Sequence, residues 1–102
     1  MSGYQLTLEA YQDLQDLAEY IAAENSEAAQ RLLAALETAF DQLAAFPRTG
    51  HPRPDLAGSR PVLFWPVGAY LVIYRPDLQP IEIIAVVHGS RDIPRFLRSR
   101  PT

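Results

Sequence analysis

The chain has 102 residues, no cysteine and a net charge of −3. That length suits one domain over residues 1–102, and an apolar content of 48% suffices for a core that needs neither metal nor disulfide. Without thiols, disulfides, zinc–thiolate sites and cysteine nucleophiles are excluded. The start MSGYQLTLEAYQD has no basic region followed by an apolar run, and no stretch nears the roughly 20 apolar residues that span a bilayer. A soluble, cytoplasmic protein with no membrane partner is expected.

Tyr4 to Leu8 alternates weakly, as in a short first strand. Thr7 is placed to cap the helix that follows, with Glu9 in its first turn. Ala10, Leu14, Leu17 and Ile21 step by four, three and four, which defines one apolar face and puts Asp13, Asp16 and Glu19 outside. Asn25 or Ser26 caps a second helix carrying Ala29, Leu32, Leu36, Phe40 and Leu43. It runs to about Phe46 and stops before Pro47. The short connection implies an antiparallel helical hairpin.

FPRTGHPRPDLAGSRP, rich in proline and glycine, reads as loop. Val62 to Trp65 reads as a strand, with Pro66-Val67-Gly68 as a turn or bulge. Ala69 to Tyr74 has the continuous β-branched and aromatic character of a strand covered on both faces. After a turn at Pro76 to Pro80 comes the last strand, Ile81 to Val87. Simple alternation puts Ile83, Ala85 and Val87 on one face, and Glu82, Ile84 and Val86 on the other. The tail from Ser90 suits a short helix. The expected fold is α+β and two-layered: a short strand, a helical hairpin, then a three-stranded antiparallel meander with the hairpin on one side.

Charge divides along the chain. Residues 1–46 hold eight acids against one base, Arg31; residues 47–102 hold eight arginines against four acids, and lysine is absent. Arginine forks suit carboxylates and phosphates, so a basic face in the second half can meet an acidic protein or a nucleic acid. Simple solvation is the plainer account of any one of these side chains.

The stretch AVVHGSRDIPRFL sets His88, Ser90 and Asp92 at alternate positions, the residue types of a serine hydrolase triad. In a continuing strand His88 and Ser90 would lie about 7 Å apart, whereas a nucleophile and its base approach to roughly 3 Å. A turn at Gly89 can shorten the gap, but there is no G-x-S-x-G elbow. The segment therefore reads as a strand end, with Gly89 stopping the strand and Asp92 capping the tail. His51 and His88 are the only histidines and form no metal-binding pair. No phosphate-cradling glycine loop exists, and no cofactor is implied. A metal-free RNA-cleaving site would draw on His88 as acid or base, with Arg60, Arg75 and Arg91 to hold a phosphate. Phe64, Trp65, Tyr70 and Tyr74 can stack on bases, but aromatics in strands are more often core; Trp65, beside Pro66, is the one expected to be exposed.

Together these segments resemble a ParE-type toxin of the RelE/ParE toxin–antitoxin superfamily. The likeness runs from YQLTLEAYQDLQDLAEYIAAENSEAAQRLLAALETAFDQLAAFPRTGHPRPDL through AYLVIY to IEIIAVVHGSRD. Its most specific parts are A-x-x-D-L-x-x-x-x-x-Y-I at Ala10 to Ile21, P-x-x-G at Pro47 to Gly50, and V-x-H-x-x-R ending at Arg91. The resemblance implies a toxin neutralised by a cognate, ParD-like antitoxin and linked to plasmid stabilisation. Two activities occur in the superfamily: RelE-like members cut ribosome-bound messenger RNA, and ParE-like members inhibit DNA gyrase. The arginine that RelE-like toxins carry after the aromatic of the middle strand falls at Leu71 here, and their C-terminal tyrosine falls near Leu97. Phe96 lacks a hydroxyl, the lysine-rich region before the strands has no lysine, and only Arg91 has a match. The expectation is therefore a gyrase-binding toxin with no catalytic residues, its target surface formed by Arg60, Arg75, His88, Arg91, Arg95 and Arg98. The alternatives are a ribosome-dependent ribonuclease using His88, Arg60 and Arg91, and a ParE-like protein that has lost toxicity. Direct nucleic-acid binding stays open.

Overall fold

The computed structural model describes residues 3–100. β1 (Tyr4–Leu6) leads into α1 (Leu8–Ala22) and α2 (Ser26–Ala45). Both helices start on side-chain caps: Thr7 accepts from the Ala10 amide and Asn25 from the Ala28 amide, each at 3.0 Å. Of the two cap candidates for α2, Asn25 holds the position and Ser26 is the first helical residue.

α3 (Pro54–Ala57) lies within the stretch read as loop. The prolines there weighed towards irregular chain, but proline at the first helical position has its φ already set for a helix and loses no hydrogen bond. β2 (Leu63–Val67) and β3 (Tyr70–Arg75) follow, then β4 (Ile81–His88) and α4 (Ile93–Arg98). The sheet order is β1-β4-β3-β2. The last three strands form the expected antiparallel meander, and β1 adds to β4 in parallel.

β2 runs through Pro66 rather than ending at Trp65. His51 donates to the Phe64 carbonyl at 2.8 Å and accepts from the Phe64 amide at 2.9 Å. The backbone N–H and C=O of Phe64 therefore point away from β3, and by alternation so does the Pro66 nitrogen, while the Phe64 side chain stays in the core. A proline whose missing N–H points away from the sheet costs no ladder bond. The same two residues close this edge to another strand, since one outward donor is taken and the other does not exist.

Two cores result. Under the hairpin, Ala10, Leu17, Leu36, Phe40 and Leu43 pack on Leu63, Val72, Tyr74, Ile81, Ile83 and Val86. The other face of the sheet, with Phe64, Ile73, Ile84, Ala85 and Val87, is covered by Ala57 of α3 and by Ile93 and Leu97 of α4. The meander thus has the apolar cover on both faces that the β3 sequence implied. Simple alternation along β4 fails at one point. Ala85 pairs with Ile73 and Ile83 with Tyr74, leaving Ile84 unpaired in a β-bulge. The bulge sends Ile84 to the same side as Ala85 and returns Val86 to the hairpin side beside Ile83.

Candidate functional site

The arginines divide into paired and unpaired groups. Among the described residues Arg31, Arg53, Arg75 and Arg100 form ion pairs. Arg48, Arg60, Arg91, Arg95 and Arg98 have no carboxylate partner there. The unpaired ones lie at two ends of the sheet. Tyr70 pairs with His88 and Arg75 with Glu82, so the ends are about 17 Å apart at the usual rise per residue. Arg60 and Arg75 sit at one end; His88, Arg91, Arg95 and Arg98 sit at the other. The structure does not gather the six expected residues into one patch.

At the His88 end the chain turns sharply. The Gly89 amide donates to the Ala69 carbonyl at 2.8 Å, which ends β4. The Ser90 amide then donates to His88 Nδ1 at 3.1 Å, and the Ser90 hydroxyl lies 2.7 Å from the same nitrogen. The turn has removed the gap of an extended strand. Because Nδ1 accepts from an amide, the proton of the neutral ring lies on Nε2. The exposed imidazole packs edge-on against Tyr70, ring centroids 5.3 Å apart. Asp92 does not complete a triad: its carboxylate accepts from the Arg95 amide at 3.2 Å and caps α4.

α4 is fixed by its apolar side and by Phe96. Ile93 and Leu97 are 3% and 0% exposed. The guanidinium carbons of Arg91 and Arg100 stand 5.2 and 4.5 Å from the Phe96 ring centroid. This holds Arg91 against the helix while Arg91, Arg95 and Arg98 stay exposed. A cleft of about 280 Å³ opens beside Arg91, Asp92, Arg95, Phe96 and Ser99. Leu97, near which the resemblance puts the tyrosine of RelE-like toxins, is core.

Arg100 and Asp13 form the contact that sequence reading missed. Asp13 was expected outside α1, yet its side chain is 14% exposed and Arg100's is 12%. Arg100 donates from Nη2 and Nη1 to the Asp13 carboxylate at 2.6 and 2.9 Å, and again from Nη1 to the Ile84 carbonyl at 2.9 Å. Asp13 also accepts from the Val86 amide at 3.0 Å. β1 stops after Leu6, so beyond it the edge of β4 has no strand partner; this ion pair takes the edge groups instead. The available signal was position. Asp13 lies three residues after Ala10 and four before Leu17, on the border of the buried stripe.

At the other end Tyr74 ties the Pro47–Gly50 turn to the sheet. Its hydroxyl donates to the Pro47 carbonyl at 2.7 Å and accepts from the Gly50 amide at 2.9 Å. A Cβ at Gly50 would lie 2.4 Å from that hydroxyl, so the position requires glycine. Arg75 donates from Nε and Nη2 to the Asp77 carboxylate at 3.2 and 2.7 Å. These bonds hold the Asp77 carboxyl below its ordinary range, with Arg48 adding a smaller effect. Of the aromatics, Phe64 and Tyr74 are core. Trp65 is half-buried rather than exposed, packed under the hairpin and stacked on His51 at 5.8 Å. Among the described residues no His, Cys, Asp and Glu group is suited to a metal, and no helix is long and apolar enough to cross a membrane.

Fold and surface together define a small α+β domain that presents unpaired guanidinium groups at both ends of its sheet. Residues 4–93 match the family described as "ParE toxin of type II toxin-antitoxin system, parDE". A Sinorhizobium fredii (strain NBRC 101917 / NGR234) protein named "Putative toxin Y4kP" is 31% identical over 91 residues, 89% of this chain and 92% of that protein. A chain from the "Chromosomal ParDE TA system from P. aeruginosa" has the same fold, with a TM-score of 0.69 over 86% of this chain and 96% of its own, at 18% identity. The chain belongs to the ParE toxin family of type II toxin–antitoxin systems.

Proposed function

We propose that this protein is a cytoplasmic growth-inhibiting toxin that acts by binding DNA gyrase and is neutralised by a cognate, ParD-like antitoxin. The observation that carries the reading is the His88 end of the sheet. There Arg91, in the turn before α4, and Arg95 and Arg98, on α4 itself, are exposed without acidic partners among the described residues, and the helix is pinned by Leu97 and Phe96. A rigid cationic ridge suits recognition of an acidic protein surface or of the gyrase–DNA complex. Arg60 lies at the far end, so a phosphate held by Arg91 is out of its reach.

One observation favours a second reading, a ribosome-dependent ribonuclease. His88 leaves Nε2 without a hydrogen-bond partner among the described residues, and the Arg91 amide is bonded to the His88 carbonyl at 3.0 Å. Growth inhibition by His88→Ala and by the Arg95→Ala, Arg98→Ala pair separates the two. The binding reading expects His88→Ala to retain most toxicity and the arginine pair to lose it.

Support for the antitoxin comes from the hairpin. Leu8, Tyr11, Tyr20 and Phe46 are large apolar side chains exposed by 80, 51, 80 and 67%; Tyr20 lies half a turn of α1 away from Tyr11, so they offer separate apolar anchors to an amphipathic segment that wraps the hairpin. With the β2 edge closed, any added strand would have to pair along β1. Coexpression with the adjacent small open reading frame should relieve toxicity and yield a co-purifying complex.

A further inference from the structure

At the Arg75 end of the sheet lies a cleft of about 240 Å³. Its lining includes Arg48, Arg60, Val62, Leu63, Pro76 and Asp77; the buried Val62 and Leu63 supply an apolar floor and the two arginines its charge. We propose that this cleft is a second docking site, which takes a carboxylate side chain flanked by an apolar residue in an acidic segment of a protein partner.

The charge balance favours an anion. Neither Arg48 nor Arg60 forms an ion pair among the described residues: Asp77 feels the Arg48 charge, but its carboxylate is held by Arg75 at 2.7 Å. Guanidinium forks that lack a partner are matched by a carboxylate in paired hydrogen bonds. The base is apolar: Val62 and Leu63 are 5 and 9% exposed. An incoming apolar side chain would cover the part of them still open to water. The rim is also prearranged, which lowers the ordering cost of binding. Arg48 sits in the turn whose ends, Pro47 and Gly50, are both bonded to the Tyr74 hydroxyl. Arg60 is followed directly by Pro61, and its carbonyl accepts from the Val62 amide at 2.9 Å.

A nucleic acid fits less well. Backbone recognition needs cations spaced along a groove, and here the two cations flank a short notch. The next unpaired cations, on α4, lie about 17 Å of strand away. The P-x-x-G motif acquires a role in this arrangement: the glycine permits the Tyr74 bond, and that bond holds Arg48 at the rim.

The test is an NMR titration of the isolated protein with a capped Leu-Glu-Leu peptide, with Leu-Gln-Leu and inorganic phosphate as controls. Leu-Glu-Leu should shift the Val62 and Leu63 resonances and bind at least ~10-fold more tightly than Leu-Gln-Leu. Phosphate should bind more weakly than the acidic peptide. The Arg48→Ala, Arg60→Ala variant should lose the preference, and Arg95→Ala, Arg98→Ala should keep it. Equal binding of the two peptides to the unaltered protein would overturn the proposal. So would shifts confined to α4, or phosphate binding more tightly than peptide. The titration involves neither gyrase nor antitoxin, so its failure leaves the proposed function standing, and failure of that function leaves the cleft standing.

Discussion

Replacing Asp13 with alanine removes the acceptor of three hydrogen bonds: two from Arg100, at 2.6 and 2.9 Å, and one from the Val86 amide at 3.0 Å. The guanidinium left behind is only 12% exposed. Deleting one member of a well-buried ion pair costs about 3–5 kcal/mol, and orphaning a buried amide adds about 1–3 kcal/mol. Water reaches part of both groups here, which brings the effect below the combined range of about 4–8 kcal/mol, to about 3 kcal/mol. That is a large share of the ~5–15 kcal/mol that keeps an ordinary domain folded. Urea unfolding followed by circular dichroism would read it as a fall in midpoint of about 2 M, for a slope near 1.5 kcal/mol per molar. Arg100→Ala should cost less, about 1–2 kcal/mol, because the carboxylate keeps its bond to the Val86 amide. A loss below ~0.5 kcal/mol for Asp13→Ala, the range of ordinary surface changes, would refute the role given to this pair.

Gly50→Ala should destabilise by about 1–3 kcal/mol, since its methyl group would collide with the buried Tyr74 hydroxyl 2.4 Å away. Thermal unfolding checks it. Tyr74→Phe should cost about 1–2 kcal/mol by freeing the Pro47 carbonyl and the Gly50 amide, and hydrogen exchange should quicken at Gly50. Burial pushes the Tyr74 hydroxyl above the ordinary 10.0, more than the Gly50 bond and the Arg48 charge pull it down. The unfolded chain therefore gives up this proton first. The stabilising effect is whole below pH 10.0 and is lost as pH rises through the native value. Tyr4 acts in the same direction, chiefly through burial. Part of the alkaline loss should vanish in Tyr74→Phe, and an unchanged profile there would count against the buried hydroxyl.

Much of the fold was legible because local and global signals agree. The 3.6-residue pattern, Thr7 and Asn25 marked the hairpin, and β-branched runs between proline turns marked the meander. What was missed depends on contacts far apart in the chain. Asp13 meets Arg100 across 87 positions, and acids on a helix border look solvated until their partner is known. The bulge at Ile84 is set by pairing with β3, which alternation within β4 does not reveal. Pro66 read as a break because only the sheet order shows that its nitrogen faces outward. At the site, the types of residue were visible but their grouping was not. Arg60 and Arg75 joined Arg91 in a list of cations, and the strand direction parts them. The three short motifs now have physical content. Asp13 clamps the β4 edge, Gly50 admits the Tyr74 hydroxyl, and the His88-Ser90 turn leads β4 into the arginines of α4.

Under the proposed function the His88 end grips gyrase and does not cut RNA. The most direct measurement is DNA supercoiling by purified gyrase with increasing toxin, run beside cleavage of messenger RNA on ribosomes. Inhibition of supercoiling that is lost in Arg95→Ala, Arg98→Ala and largely kept in His88→Ala, with no cleavage of message, is the predicted result. Ribosome-dependent cleavage abolished by His88→Ala, with supercoiling untouched, would contradict it.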